Sequence, residues 1–537
     1  TEDLERFHLP AQFLRDKIYL WDYPKNSLQE RPTVNEALVR TLNEGSLILN
    51  YVGHGNPSLF AHERVFTNQS DLPRLRNGVR LPVVFTASCS IGFFDDPYTE
   101  GMSERLVRME GGAILVVSAT RLVYSQANAL FNRVAYDHIF GPQNLTVAQA
   151  VFAAKMTRAD AQGTKGNDRR YAIFGDPWLR LGAPAYEVEY TSAPDTLVAL
   201  TPTVIAGRVV DEFGAPVSGF TGTAQVVVYD TRATRNHKVL NSQGDVRADV
   251  SYDVNGAALY RGSAAVVNGQ FSVTFVPSLD VGFGGAAARI SVYASDNFSD
   301  AIGVIDSLPI SATVPSTTDY TGPEISLVLP ERSGFVSGDP IGPSEEIIVR
   351  LADTSGINLG AGFGHGITLM IDNEITSELT LSESFVYVPG SFRSGSASVA
   401  LPNLAPGTHT FRVKAWDNAN NSASLTFTAH VTLQTALSID QLLNYPNPMQ
   451  EMTAFYFTLM APVTRMSLEI FTVSGIKVHE AEERDLPQGY NEGRFAWDGR
   501  DQDGDRVATG VYVYRAVAHP ADPGEPVEEF GKLIVVN

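Results

Sequence analysis

Cysteine is nearly absent: the 537 residues contain one, Cys89. An intramolecular disulfide is therefore excluded, as is any structural zinc site built on two or more thiolates. Basic residues are in short supply, since 40 Lys plus Arg against 60 Asp plus Glu give a formal net charge of −20. Such a chain lacks the basic face that gripping a phosphate backbone requires, so no nucleic-acid partner is expected. No apolar run approaches the roughly 18 residues of a membrane-spanning helix. The chain opens on Thr1, without Met and without a charged-then-apolar leader. It reads as a mature product or a fragment, and secretion is not read from its N-terminus. What is present is substantial. Hydrophobic residues make up 44%, too many for wholesale disorder, and the length fits three or four domains at roughly 150 residues each.

The chain changes character near residue 185. Before that point, apolar runs alternate with helical spacing. Lys17–Trp21, Ser46–Val52, Leu81–Ala87, Ala113–Ala119 and Tyr171–Phe174 read as strands, the middle three nearly continuous apolar, as strands buried on both faces should be. Asn35–Asn43, stopped by Gly45, then Glu100–Met109, Gln126–His138 and Val147–Arg158 read as helices. This alternation predicts a mainly parallel sheet of about five strands with helices on its faces. After Tyr186 helical periodicity nearly vanishes. Short alternating strands such as Ala224–Tyr229, Gln270–Phe275, Arg289–Tyr293, Glu346–Leu351 and His409–Ala415 lie between Gly, Pro, Asn and Asp clusters. They predict β-sandwiches. Linkers are expected at Pro315–Gly322 and Leu433–Ser438. The expected units are 1–185 (α/β), 186–320 and 321–436 (β-sandwiches) and 437–537 (a further β-unit).

The chemistry sits in the first unit. Gly53-His54-Gly55 follows one strand and Ser88-Cys89-Ser90 follows the next. Reactive groups of open parallel sheets gather at the carboxyl ends of strands. His54 and Cys89 occupy that position 35 residues apart, a spacing that fits one strand–helix–strand crossover. Neighbouring parallel strands lie about 4.8 Å apart, so both side chains can reach a common point. A thiol is a few per cent thiolate at neutral pH, and a nearby imidazole raises that fraction. Gly53 and Gly55 let backbone approach a ligand closely and leave N–H groups for an oxyanion. A lone Cys in a core commonly serves packing alone, and a lone His at a strand end commonly serves structure. Their joint placement, in the order His then Cys, is what points to a catalytic dyad.

The segments Asn50–Gly55 (NYVGHG), Thr86–Asp96 (TASCSIGFFDD) and Tyr171–Gly182 (YAIFGDPWLRLG) resemble the gingipain-type, caspase-like cysteine peptidases. Gly53, His54, Gly55 and Cys89 match that family's motif residue by residue. The resemblance implies a His–Cys dyad, hydrolysis through an acyl-thioester and no cofactor or metal. It also implies an additional α/β half upstream, and here His54 stands too early in the chain for one. The first unit therefore reads as the C-terminal half of such a domain, from a longer protein or a shortened relative.

Residues 441–537 carry NYPNP, VSGIKV, WDGRDQDGD and ATGVYVYR, and resemble the flagellar-hook-type Ig-like domains that also serve as C-terminal sorting domains of type IX secretion cargo. Leu468–Phe471 and Ile476–Val478 around Ser474-Gly475 predict a hairpin. Asp501-Gln502-Asp503-Gly504-Asp505 invites a calcium reading. With Gly504 fourth and Tyr512 twelfth it departs from the EF-hand pattern and is expected to be a turn. A second Gly-His-Gly, around His365 within 362–367, has no cysteine near it and is expected to be structural. Taken together the chain resembles the type IX secretion sortases (PorU-type). That resemblance implies protein substrates bearing C-terminal sorting domains, a lipopolysaccharide acceptor, outer-membrane secretion partners and a place on the outer surface of a Gram-negative bacterium. Two other readings stand beside it. One is a secreted gingipain-like protease that is itself cargo, and the other is a non-catalytic surface adhesin, which an inert Cys89 would favour.

Overall fold

The computed structural model describes residues 2–26, 31–159, 165–181, 184–240, 243, 245–282, 287–311, 313, 316–330, 335–342, 345–360, 364–374, 378–402, 404–432, 437–521 and 524–536. Pro315, the stretch 433–436 and the Gly362-Phe363 pair fall outside them, and with them parts of both expected linkers and of the second Gly-His-Gly segment.

In the first unit helices α1 (Glu2–His8) and α2 (Pro32–Glu44) precede strand β1 (Ile48–Val52). A small antiparallel meander follows, of β2 (Gly55–Asn56), β3 (Leu59–Phe60) and β4 (Phe66–Thr67). Then come β5 (Val83–Ala87), α3 (Met102–Arg108), β6 (Leu115–Ala119), α4 (Ser125–Ile139), α5 (Val147–Thr157), α6 (Lys165–Asp168) and β7 (Tyr171–Gly175). The main sheet runs β1-β5-β6-β7. Strands β5 and β6 are buried along their whole length, in keeping with their nearly continuous apolar runs. Alternate residues serve two cores, one on each face. Val83, Phe85, Leu115 and Val117 pack with Phe131 and Ala135 of α4 and Val151 of α5. Val84 and Val116 pack with Leu38 and Leu42 of α2 and with Met102 and Leu106 of α3.

Three features differ from the sequence expectation. Among the described residues the main sheet has four strands, because Lys17–Trp21 pairs with none of them and ends in a single 3-10 turn at Leu20–Asp22. Its aromatic residues are committed to side-chain packing instead. Trp21 stacks on His237 at 4.6 Å and donates to the Tyr252 hydroxyl at 2.7 Å, and Tyr19 meets the Tyr252 ring edge-on. Strand β7 runs antiparallel to β6, whereas β1–β5 and β5–β6 are parallel. Finally, β1 is an edge strand and only half buried, although its sequence is as apolar as that of its neighbours.

The rest of the described chain is β. A seven-stranded sheet is built from strands within 186–308, with the hairpin of Ala233–Leu240 and Val246–Val254 set off as its own two-stranded sheet. Sheets of four and five strands occupy 324–431, and sheets of three and four strands occupy 439–535. One hydrophobic cluster runs from Val188 to Val431 across the first two of these units. Tyr260 stacks on Tyr387 at 5.1 Å across that junction, and Leu279 N–H donates to the Asn418 carbonyl at 2.9 Å. The last unit has a separate core around Met449, Phe455, Trp497 and Tyr514. Its hairpin pairs Val463–Thr472 with Lys477–Leu486 as read from the sequence. The acidic loop is a turn: Asp501 Oδ1 accepts the N–H groups of Asp503 at 3.1 Å and Asp505 at 2.9 Å.

Candidate active site

The parallel register of β1 and β5 pairs Tyr51 with Thr86 and Val52 with Ala87. His54 and Cys89 therefore each stand two residues beyond the last paired position, at the carboxyl ends of adjacent strands. The close approach of the two loops is visible in Gly55. A Cβ there would lie 2.5 Å from both Ser88 Oγ and Ile91 Cδ1, so a larger residue would have to displace one or both side chains. Beyond Cys89 the chain turns sharply. Ser90 takes a left-handed φ of 54°, and its N–H donates to the Arg121 carbonyl at 3.2 Å. The thiol thus sits at the crest of a bend tied to the β6–α4 loop.

Alternation along β5 sends Ser88 and Cys89 to opposite faces. Cys89 is half buried and packs on the core under α4, while Ser88 faces Gly55 and Ile91. Cys89 Sγ lies 3.4 Å from both the carbonyl oxygen and the amide nitrogen of Val123. His54 is exposed, its ring tilted against that of His62 at a centroid distance of 5.8 Å. Among the described residues no hydrogen bond joins His54 to Cys89. The structure thus brings the two loops together, while each side chain makes its own separate contacts.

The main chain of the His54 loop is closely held. The His54 carbonyl accepts the Tyr51 hydroxyl at 2.6 Å and the Ala61 N–H at 2.8 Å. The Ala61 bond makes Gly55 and Phe60 a non-hydrogen-bonded pair, so the Gly55 N–H points out of that ladder. At Gly53, too, a Cβ would crowd its neighbours, lying 2.6 Å from Tyr51 Oη, so a larger residue would push the Tyr51 ring. Beneath the loops lie buried hydroxyls without partners, Thr86 Oγ1 and Ser88 Oγ. Tyr171, at the start of β7, is buried with an unpartnered hydroxyl; burial raises its pKa, and the charges of Asp168 and Cys89 add to the rise. Sequence reading did not single out Tyr51, Ser88, Val123 or Tyr171. Tyr51, Ser88 and Tyr171 lie within the motif segments and were within reach, whereas the Val123 contact arises only from the fold.

Away from this site, His365 Nδ1 lies 2.6 Å from Asp280 Oδ2 and its ring packs on Trp416 at 4.2 Å, a structural role. Asp319, Asp353 and Asp417 gather within 4.8 Å of one another, each engaged by donors of its own loop such as Thr321, Ser355 and Asn421. Among the described residues no helix is long and apolar enough to cross a membrane.

With this geometry in hand, residues 2–182 match the family model of peptidase family C25, and residues 449–522 match that of the FlgD Ig-like domain. The first unit is therefore similar to a cysteine peptidase of the gingipain kind, joined through β-rich units to an Ig-like C-terminal domain. Among solved structures, dimeric latent PorU from Porphyromonas gingivalis is similar at 26% identity, over 80% of this chain and 41% of that one, with a TM-score of 0.31. The Arg-specific cysteine proteinase gingipain R (RgpB) is similar at 16% identity, over 52% of this chain and 56% of that one, with a TM-score of 0.26. The chain thus spans less than two thirds of either protein. No curated protein matches it.

Proposed function

We propose that the chain belongs to a cell-surface cysteine peptidase in which Cys89 is the nucleophile and His54 the acid–base group. The single observation that best supports this reading is the shared level of His54 and Cys89 beyond β1 and β5, within the segment similar to family C25. Cys89 sulfur would attack a peptide carbonyl, forming the C–S bond. The backbone N–H groups of Cys89 and Gly55 would hold the oxyanion. His54 would deliver the thiol proton to the leaving amine as the C–N bond breaks. The acyl-thioester then passes to water or to an amine.

The Ig-like match at 449–522 favours a setting in type IX secretion. There the enzyme would act as a sortase, removing C-terminal sorting domains from exported proteins and passing the new carboxyl end to an amine of surface lipopolysaccharide, beside outer-membrane secretion partners. The same segment also fits a secreted protease that is itself cargo. One assay separates them. The chain is given a cargo with its sorting domain plus an amine acceptor, and the products are weighed by mass spectrometry. A cargo–amine conjugate is expected; hydrolysed product alone would sink the transpeptidase reading, and retained activity in Cys89→Ala would sink the dyad.

A further inference from the structure

The contacts of the His54 loop point to a residue that the dyad alone does not include. We infer that Tyr51 is a positioning residue: through its hydroxyl it sets the main chain that carries His54 and so the reach of the imidazole toward Cys89. The inference rests on the dyad reading above.

Strand β1 finishes at Val52, and the chain must leave the sheet through Gly53. Glycine has the widest backbone freedom of any residue, so a loop hinged on it needs an external restraint to hold one geometry. Tyr51 supplies it from within the same strand. Its ring is stacked on Phe60 at 4.1 Å with planes 7° apart, which fixes where the hydroxyl stands. The hydroxyl donates to the His54 carbonyl at 2.6 Å, and the Ala61 N–H donates to the same oxygen at 2.8 Å.

Two donors on one carbonyl leave little freedom to the His54–Gly55 peptide unit, because that unit is planar. Fixing its oxygen fixes the ψ of His54 and the opposite heading of the Gly55 N–H. The absence of a side chain at Gly53 belongs to the same device, since any Cβ there would meet the Tyr51 hydroxyl at 2.6 Å. Phe60 and Ala61 belong to the meander that follows the loop, so the hydroxyl ties the strand end to that meander across the histidine.

The test uses the chain's single thiol, which makes every alkylation event report on Cys89. The rate of modification by iodoacetamide is followed from about pH 5 to pH 9 for wild type, His54→Ala and Tyr51→Phe. With an imidazole partner, wild type keeps reacting below about pH 7, and His54→Ala loses that limb. Tyr51→Phe keeps the ring on Phe60 and removes only the hydroxyl. It is expected to lower the acid limb about 3- to 10-fold, the scale of one lost hydrogen bond, with the rate at high pH unchanged. Gly53→Ala, which drives a methyl into the same hydroxyl, is expected to act in the same direction and serves as the second variant should Tyr51→Phe fold poorly. A Tyr51→Phe profile that overlays wild type while His54→Ala loses the limb overturns the positioning role and leaves the dyad standing. A His54→Ala profile that overlays wild type overturns the dyad, and the role of Tyr51 with it.

Discussion

The chain carries the tripeptide Gly-His-Gly twice, and the two copies live differently. Gly53-His54-Gly55 leaves the carboxyl end of a parallel strand. Its imidazole is exposed, and among the described residues it makes no side-chain hydrogen bond. At the second copy His365 is half buried against Trp416, with Nδ1 on Asp280 Oδ2. The same Asp280 carboxylate accepts Asn358 Nδ2 at 2.7 Å and Asn420 Nδ2 at 2.8 Å. The comparison teaches that the tripeptide is only a flexible mount. Its surroundings set the two rings apart: Asp280 occupies Nδ1 of His365, whereas the His54 ring is exposed beyond a strand end and, among the described residues, has no such partner.

The comparison breaks most visibly at Cys89. Cys89→Ala is expected to lower peptide cleavage at least about a thousandfold with the folded state intact, as judged by circular dichroism. His54→Ala should lie close behind, whereas His365→Ala should leave the rate within about twofold.

Next comes Asp280→Ala, which strands three donors at a junction between two β-units. About 3 kcal/mol of stability should be lost in urea unfolding, with Cys89 alkylation unchanged. His365→Ala should cost less, about 1–2 kcal/mol, and His54→Ala nearly nothing. If the two histidines cost the same, the contrast between them fails.

A smaller effect depends on pH. Burial pushes Asp417 up to about 6 against the pull of two Asn421 hydrogen bonds, and the charges of Asp353 and Asp319 add to the rise. A carboxyl raised in the folded state binds its proton more tightly there than in the unfolded chain. Its ionisation therefore weighs against the fold, fully above about pH 6 and progressively less toward the ordinary value near 4. The urea midpoint should rise as pH is lowered from 7 to 5, and this rise should be smaller in Asp417→Asn. Equal slopes in the two proteins would remove Asp417 as the cause.

The smallest effect is expected at Asp501. Replacing it by Ala should cost about 0.5–1 kcal/mol through the lost turn bonds, and millimolar calcium should leave the melting temperature of the wild type unmoved.

How much of this was legible in the sequence differs from element to element. Strands β5 and β6 announced themselves because both faces are buried and four of the five positions in each are apolar, Thr86 and Ser118 being the exceptions. The same pattern in β1 misled, since an edge strand can be apolar while one side of its ladder stays open. The direction of β7 was not readable, because a five-residue run carries no sign of its orientation and the connection before it is set by helix packing. Lys17–Trp21 read as a strand because Tyr19 and Trp21 are apolar, yet their partners, Tyr252 and His237, lie more than 200 residues away. The levels of His54 and Cys89 followed from counting along two strands. The hold of Tyr51 on the His54 carbonyl did not, because the ring must first find Phe60 across a meander of two-residue strands.

The core that runs unbroken from Val188 to Val431 has a thermodynamic meaning of its own. Two units that share buried side chains cannot melt independently, since opening either one exposes apolar surface of the other. Heat capacity measured across their unfolding should show a single cooperative peak for this pair, separate from that of the C-terminal unit with its own closed core. A nick in the chain between them would leave the two pieces associated. The middle of the protein should then unfold as one body, with the thiol-bearing unit before it in chain order and the Ig-like unit after it.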